Sequence, residues 1–137
     1  MKVRSGQLAR RRSEMLTDVE LEFMIALWDI GSGSVRDIMA ALEGQSQRAY
    51  TSVATVMKIL DEKGFVTSAR KDRALVYTPA VAKRDYEGRS LKNLSKTLFG
   101  GTPTALVARL VDNEDLTDEM IQEIKEIIET RIRKDDG

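Results

Sequence analysis

Residues 48–64 read RAYTSVATVMKILDEKG and residues 65–79 read FVTSARKDRALVYTP, and the fold is decided where one run passes into the other. In the first run the apolar period is helical. Val53, Val56, Met57 and Leu60 fall within about one third of a helical wheel, while Thr51, Thr55, Lys58 and Glu62 lie opposite. A helix is therefore expected from about Tyr50 to Lys63, ending at Gly64, with no strong cap residue at its start. After Gly64 the period becomes two. Residues 65–70 read as a strand, Lys71-Asp72-Arg73 as a polar turn and residues 74–78 as a second strand that Pro79 ends. Helix followed by basic-tipped hairpin is the local pattern.

Two more helices precede this stretch. Thr17-Asp18-Val19-Glu20 is a capping box: the Thr17 hydroxyl accepts a backbone N–H from the first turn and Glu20 reaches back. Leu16 and Leu21 form a hydrophobic staple. Leu21, Met24, Ile25, Leu27 and Trp28 carry the periodicity until Gly31-Ser32-Gly33 stops it. Ser34 caps a second helix from Val35 to about Leu42, and residues 44–47 are a polar connection. Three helices and a hairpin is the order of a winged helix-turn-helix.

Behind the hairpin the chain is helical again. One helix is expected over about Arg84–Phe99, carrying Tyr86, Leu91, Leu94 and Leu98, and Gly100-Gly101 breaks it. Thr102 and Pro103 are a cap and a first-turn proline for a short helix with Leu106, Val107, Leu110 and Val111. Thr117 caps a last helix, with Leu116 and Ile121 as its staple. Ile121, Ile124, Ile128 and Ile132 form a stripe at three- to four-residue spacing. About fifty residues hold a core poorly on their own. Leu94, Leu98, Leu106, Leu110 and the isoleucine stripe are thus expected to pair with a second copy. The domain organisation read from the sequence is a flexible basic arm at 1–14 (Arg10-Arg11-Arg12), a winged-helix domain at 15–82 and a helical dimerisation domain at 83–137.

Composition narrows the chemistry. The chain has 137 residues, 42% of them hydrophobic and 32% charged, enough apolar material for a core. Cysteine and histidine are both absent. That removes disulfides, thiol nucleophiles, histidine bases and nearly every common zinc or copper site. No metal, cofactor or catalytic residue is expected. The carboxylate groups Asp61-Glu62 and Asp112/Glu114/Asp115 read as a solvated helix face and a helix-start loop, so the chain is not read as an enzyme. No apolar run approaches a membrane span and the N-terminus lacks a signal-peptide core, so a cytoplasmic location is expected. Basic and acidic side chains number 22 each. Residues 1–83 hold 13 basic and 10 acidic, and residues 84–137 hold 9 and 12, giving +3 in front and −3 behind.

The basic side chains gather where a duplex would lie. Thr51, Ser52 and Thr55 offer hydroxyls for base edges or phosphates, and Lys58 reaches a phosphate or guanine one turn later. Arg48 and Tyr50 precede the helix, beside its positive end. Arg70, Lys71 and Arg73 tip the wing, placed to follow an adjacent groove or backbone. Double-stranded DNA is the partner this favours. The rival reading is a winged helix used for protein contact without DNA.

Leu16-Thr17-Asp18-Val19-Glu20, Leu27-Trp28, residues 49–56, Leu60, Lys63-Gly64, residues 73–77 and Leu98-Phe99-Gly100-Gly101 together resemble the penicillinase repressor family. That family includes β-lactamase, methicillin-resistance and copper-responsive repressors. The resemblance spans about residues 16–132. It implies a winged-helix domain, a helical dimer module and a homodimer on a dyad-symmetric operator, blocking transcription. By position, Thr51, Ser52, Thr55 and Lys58 match the family's recognition-helix face, and Arg70, Lys71 and Arg73 fall in its wing. Two departures bear on regulation. The cysteine cluster of copper-responsive members is missing. Where β-lactam-responsive members are cut at Asn-Phe by a sensor protease, this chain reads Ala108-Arg109-Leu110. A regulatory protease would need another sequence.

Overall fold

The computed structural model describes residues 15–42 and 48–136. The arm expected at 1–14 and the polar connection at 44–47 lie outside the described residues. Contacts divide the chain into two compact units, residues 1–90 and 91–137. Among the described residues there are six helices and one two-stranded antiparallel sheet.

In the first unit, α1 spans Asp18–Ile30. Its capping box is formed in both directions. The Glu20 N–H donates to Thr17 Oγ1 at 3.2 Å, and the Thr17 N–H donates to Glu20 Oε1 at 2.9 Å. At the other end Gly31 takes φ 89° and its N–H donates to the Leu27 carbonyl at 2.8 Å. Helix α2 spans Val35–Leu42. Ser34 caps it as expected, its hydroxyl accepting the Asp37 N–H at 3.2 Å while Asp37 accepts the Ser34 N–H at 3.0 Å.

Gly33 is present for a different reason from Gly31. It does not need a left-handed backbone. It exchanges two backbone hydrogen bonds with Tyr77, at 2.8 and 3.0 Å, laying the α1–α2 connection against the hairpin as an isolated antiparallel bridge. A Cβ there would stand 2.8 Å from Asp37 Cβ and 2.9 Å from Ile30 Cδ1.

Helix α3 spans Tyr50–Glu62, and Ala49 at its N-cap gives no side-chain bond. Gly64, at φ 86°, turns the chain out, and the Phe65 N–H closes on the Leu60 carbonyl at 2.9 Å. Strands β1 (Val66–Lys71) and β2 (Ala74–Pro79) follow. Their register runs from Val66 opposite Pro79 to Lys71 opposite Ala74, so the loop proper is only Asp72-Arg73. Pro79 stays inside the strand as its last residue, at the open end of the ribbon.

Phe23, Met24 and Leu27 of α1, Ile38 and Leu42 of α2, and Val53, Met57 and Leu60 of α3 fill the core under Phe65, Val66 and Tyr77. Each such side chain contributes about 1.5–3 kcal/mol by leaving water. Tyr86 closes this core from the first turn of α4 (Lys83–Leu98). Its ring centroid lies 6.0 Å from those of Trp28 and Phe65, and its hydroxyl accepts the Leu16 N–H at 2.9 Å. The start of α4 thus packs with the first unit.

The second unit is helical throughout. Gly100 and Gly101, at φ 63° and 81°, end α4, with the Gly101 N–H donating to the Ser95 carbonyl at 2.8 Å. Helix α5 spans Pro103–Val111 and α6 spans Asp118–Asp136. Thr102 sits at the N-cap of α5, but its side chain makes no cap bond; Pro103 at the first position serves instead. Thr117 does cap α6, accepting the Met120 N–H at 3.1 Å. No described side chain of α5 or α6 is buried.

Two glycines should answer oppositely to alanine. Gly33→Ala drives a Cβ into the Asp37 and Ile30 side chains and is expected to cost about 1–3 kcal/mol. Gly88, inside α4, has nothing within 4 Å of its missing Cβ. Gly88→Ala should stabilise by up to about 1 kcal/mol. Chemical denaturation of the two variants beside the parent checks both signs.

Candidate nucleic-acid interface

Helix α3 is held by one face and open on the other. Val53, Met57 and Leu60 are fully buried, whereas Thr51, Ser52, Thr55 and Lys58 are exposed. The core therefore decides which side chains the helix offers outward. The Thr55 hydroxyl donates to the Thr51 carbonyl at 2.8 Å. Its proton is spent on its own helix, so it presents a lone pair and a methyl group. At the N-terminus neither a side-chain cap nor a first-turn acid offsets the positive helix end.

A cleft of about 420 Å³ lies beside that end, lined by Arg36, Tyr50, Ala54, Arg70, Arg73 and Leu75 among others. Tyr50, Arg70 and Arg73 of the expected site are thus brought together. Arg36 joins them from α2, its guanidinium carbon 5.1 Å from the Tyr50 ring centroid. The sequence reading passed over Arg36. The available signal was a basic residue two positions after the Ser34 cap, in the first turn of the helix before the outward-facing one. Lys71 is exposed but does not line the cleft, because adjacent strand residues point to opposite faces. Arg48 stands apart as well. It pairs with Glu22 at 3.3 Å and lies 5.7 Å over the Phe23 ring, so its charge is engaged by α1.

The wing tip stores strain. Asp72 and Arg73 both take positive φ, 49° and 72°. Two-residue hairpin loops of that shape favour Asn-Gly or Asp-Gly, so Asp72 suits its place, whereas the left-handed conformation costs a residue such as Arg73 about 1–2 kcal/mol. The Arg70 guanidinium donates to the Arg73 carbonyl at 3.4 Å, a weak brace across the turn. On the floor of the cleft, burial and then the neighbouring Asp61 and Tyr50 push the Tyr77 phenol above its ordinary value of 10.0, so it remains neutral.

Among the described residues no cluster of three or more carboxylate, histidine or cysteine side chains is placed to hold a metal ion. None of the described helices is long and apolar enough to cross a membrane.

A sequence model of the family described as penicillinase repressor matches residues 16–130. The penicillinase repressor of Bacillus licheniformis is 25% identical over 119 residues, covering 87% of this chain and 93% of that protein. The methicillin resistance regulatory protein MecI of Staphylococcus aureus strain Mu50 is 25% identical over 113 residues, covering 82% and 92%. A solution structure of the DNA binding domain of the repressor BlaI is similar at 28% identity, covering 53% of this chain and 88% of that one, with a TM-score of 0.47.

Replacing the loop by Asp72→Asn with Arg73→Gly should relieve the turn and remove a cation. The expected result is a gain of up to about 1 kcal/mol in denaturant stability. Retention on heparin, a polyanion, should weaken at the same time. Loss of stability would show that the positive φ values are not strained.

Proposed function

The chain belongs to the penicillinase repressor family, and from that premise we propose that it is a sequence-specific transcriptional repressor that binds a dyad-symmetric DNA operator as a homodimer. The observation that carries this reading is the outward face of α3. It is anchored by Val53, Met57 and Leu60, offers hydroxyls and Lys58, and lies beside an arginine-lined cleft without acidic lining. In this reading α3 enters the major groove. Thr51 and Ser52 meet base edges or phosphates, Thr55 meets a base edge, and Lys58 meets a phosphate or guanine. Tyr50, Arg70, Lys71 and Arg73 follow the backbone. Arg48 would contribute only by giving up Glu22.

Thr55 has a chemical preference within that scheme. With its proton held by the Thr51 carbonyl, it suits the amino group of cytosine or adenine, or the thymine methyl. Guanine O6 and N7, which need a donor, suit it poorly.

Dimerisation is supported by apolar surface that the single chain leaves uncovered. Leu94, Leu98, Leu110, Ile128 and Ile132 are 40–68% exposed, and Leu106, Ile121 and Ile124 are half-buried. A unit of fewer than fifty residues cannot bury these alone, and a second copy supplies the missing surface. Two copies set the recognition helices at a fixed spacing, and occupancy of the operator excludes the transcribing polymerase. Release by a regulatory protease would need a cut site other than Asn-Phe.

Selection of bound duplexes from a random pool at near-physiological salt tests the reading. A dyad-symmetric consensus is expected, with Thr55→Ala and Lys58→Ala each weakening the selected duplex by about tenfold, within the range of one base contact. No enrichment would replace it by the protein-contact reading. Separately, Ile128→Asp with Ile132→Asp should convert the protein in sedimentation to a 15.4 kDa monomer. A parent that sediments as a monomer at every concentration would refute the homodimer.

A further inference from the structure

Arg36, Arg70 and Arg73 come from three different elements, the first turn of α2, strand β1 and the wing-tip loop, and line one cleft. No carboxylate is among its lining residues. The acid next to Arg36 in sequence, Asp37, is engaged in accepting the Ser34 N–H at 3.0 Å. Three like charges around one opening repel each other in the free protein. Arg73 additionally occupies a left-handed position that glycine would take at lower cost. Arg36 is held differently from the other two. The Tyr50 ring attracts its guanidinium from 5.1 Å and so restricts where it points. A guanidinium presents its N–H donors in a planar fork that matches phosphate oxygens.

We propose that this cleft is a phosphate clamp in which Arg36, outside both the recognition face and the wing, is a direct ligand aimed by Tyr50. Its ligand is a backbone phosphodiester of the bound duplex, flanking the bases that α3 reads. This rests on the DNA-binding reading above and adds to it a contact that fixes register without reading sequence. The shared chemistry is a phosphate group, which a free phosphate could also supply, and the test separates the two sources.

The full chain is compared with Arg36→Ala and Arg36→Lys on the selected duplex and on a scrambled one, across a salt series. Arg36→Ala should weaken both duplexes by a similar factor, about 5- to 20-fold, and reduce the slope of log affinity against log salt by about one. The preferred sequence should stay that of the parent, and the melting temperature should not fall. Arg36→Lys should recover the salt slope but only part of the affinity, since an ammonium lacks the planar fork. If the parent binds duplex and Arg36→Ala matches it in affinity and slope, the clamp is refuted while the repressor reading stands. If Arg36→Ala changes which sequence is preferred, Arg36 reads a base and the clamp is again refuted. A parent that binds no duplex overturns both readings. In the second arm, inorganic phosphate is titrated at matched ionic strength. No saturable binding in the millimolar range is expected. Saturable binding abolished by Arg36→Ala, with duplex binding unaffected, would reassign the cleft to free phosphate.

Discussion

One buried carboxylate ties the ends of two helices together. Glu20 is 7% exposed, accepts the Thr17 N–H at the start of α1, and takes Lys63 Nζ at 2.7 Å from the residue that ends α3. Burial by itself would raise its pKa. The Lys63 hydrogen bond, the Thr17 bonds and the Lys63 charge outweigh that and hold it below the ordinary 4.5. The group is therefore ionised at neutral pH. Its stabilising contribution is present above the unfolded value and fades as pH falls through the lower folded one. Buried ion pairs are rarely the most stabilising use of a site, since desolvation offsets most of their attraction. What this one supplies is position. It fixes the C-terminal end of α3 against the first turn of α1, while Val53, Met57 and Leu60 fix its rotation.

That constraint explains why the outward face of α3 can be chemically plain. Threonine, serine and lysine on a helix are ordinary solvent-facing residues, and nothing in their identity marks them. In the reading proposed above they serve as a recognition surface because the buried face of the helix fixes which way they point. Tyr86 does comparable work where α4 leaves the first unit. Its ring packs against Trp28 and Phe65 and its hydroxyl takes the Leu16 N–H, so the first turn of α4 belongs to the first unit. The second unit has no such closure of its own, with every described side chain of α5 and α6 at least partly exposed. In the homodimer proposed above, the folding of that unit is coupled to association, and its stability rises with protein concentration.

The parts of this structure that were legible in the sequence are the local ones. The capping box at Thr17, the Ser34 and Thr117 caps, the glycine stops at Gly31, Gly64 and Gly100-Gly101 and the buried stripe of α3 all follow from residues within a turn or two of each other. Tyr86 was legible only as one apolar position in a helix. Its partner Leu16 lies 70 residues away, and no periodicity reports that distance. Gly33 looked like a second turn glycine, whereas it lies in a bridge to Tyr77 and a Cβ there would meet Asp37 and Ile30. Arg48 looked free for phosphate, but its pairing with Glu22 depends on how α1 passes the start of α3. The hairpin was clear, its tip was not, because Asp-Arg lacks the residues that announce a two-residue loop.

The same tip shows where the chain departs from what its own stability would select. A glycine at Arg73 would relax the turn, and an acid in the cleft would relieve the three arginines. Neither is present. A left-handed arginine beside two further arginines, with no acid lining the cleft, works against the free protein from two independent directions, one steric and one electrostatic. In the clamp proposed above, arrival of an anion would offset the electrostatic part by neutralising the cleft and taking hydrogen bonds from its guanidinium groups. The features that fold this domain are therefore local and apolar. Those that would let it hold DNA are the ones folding alone does not account for.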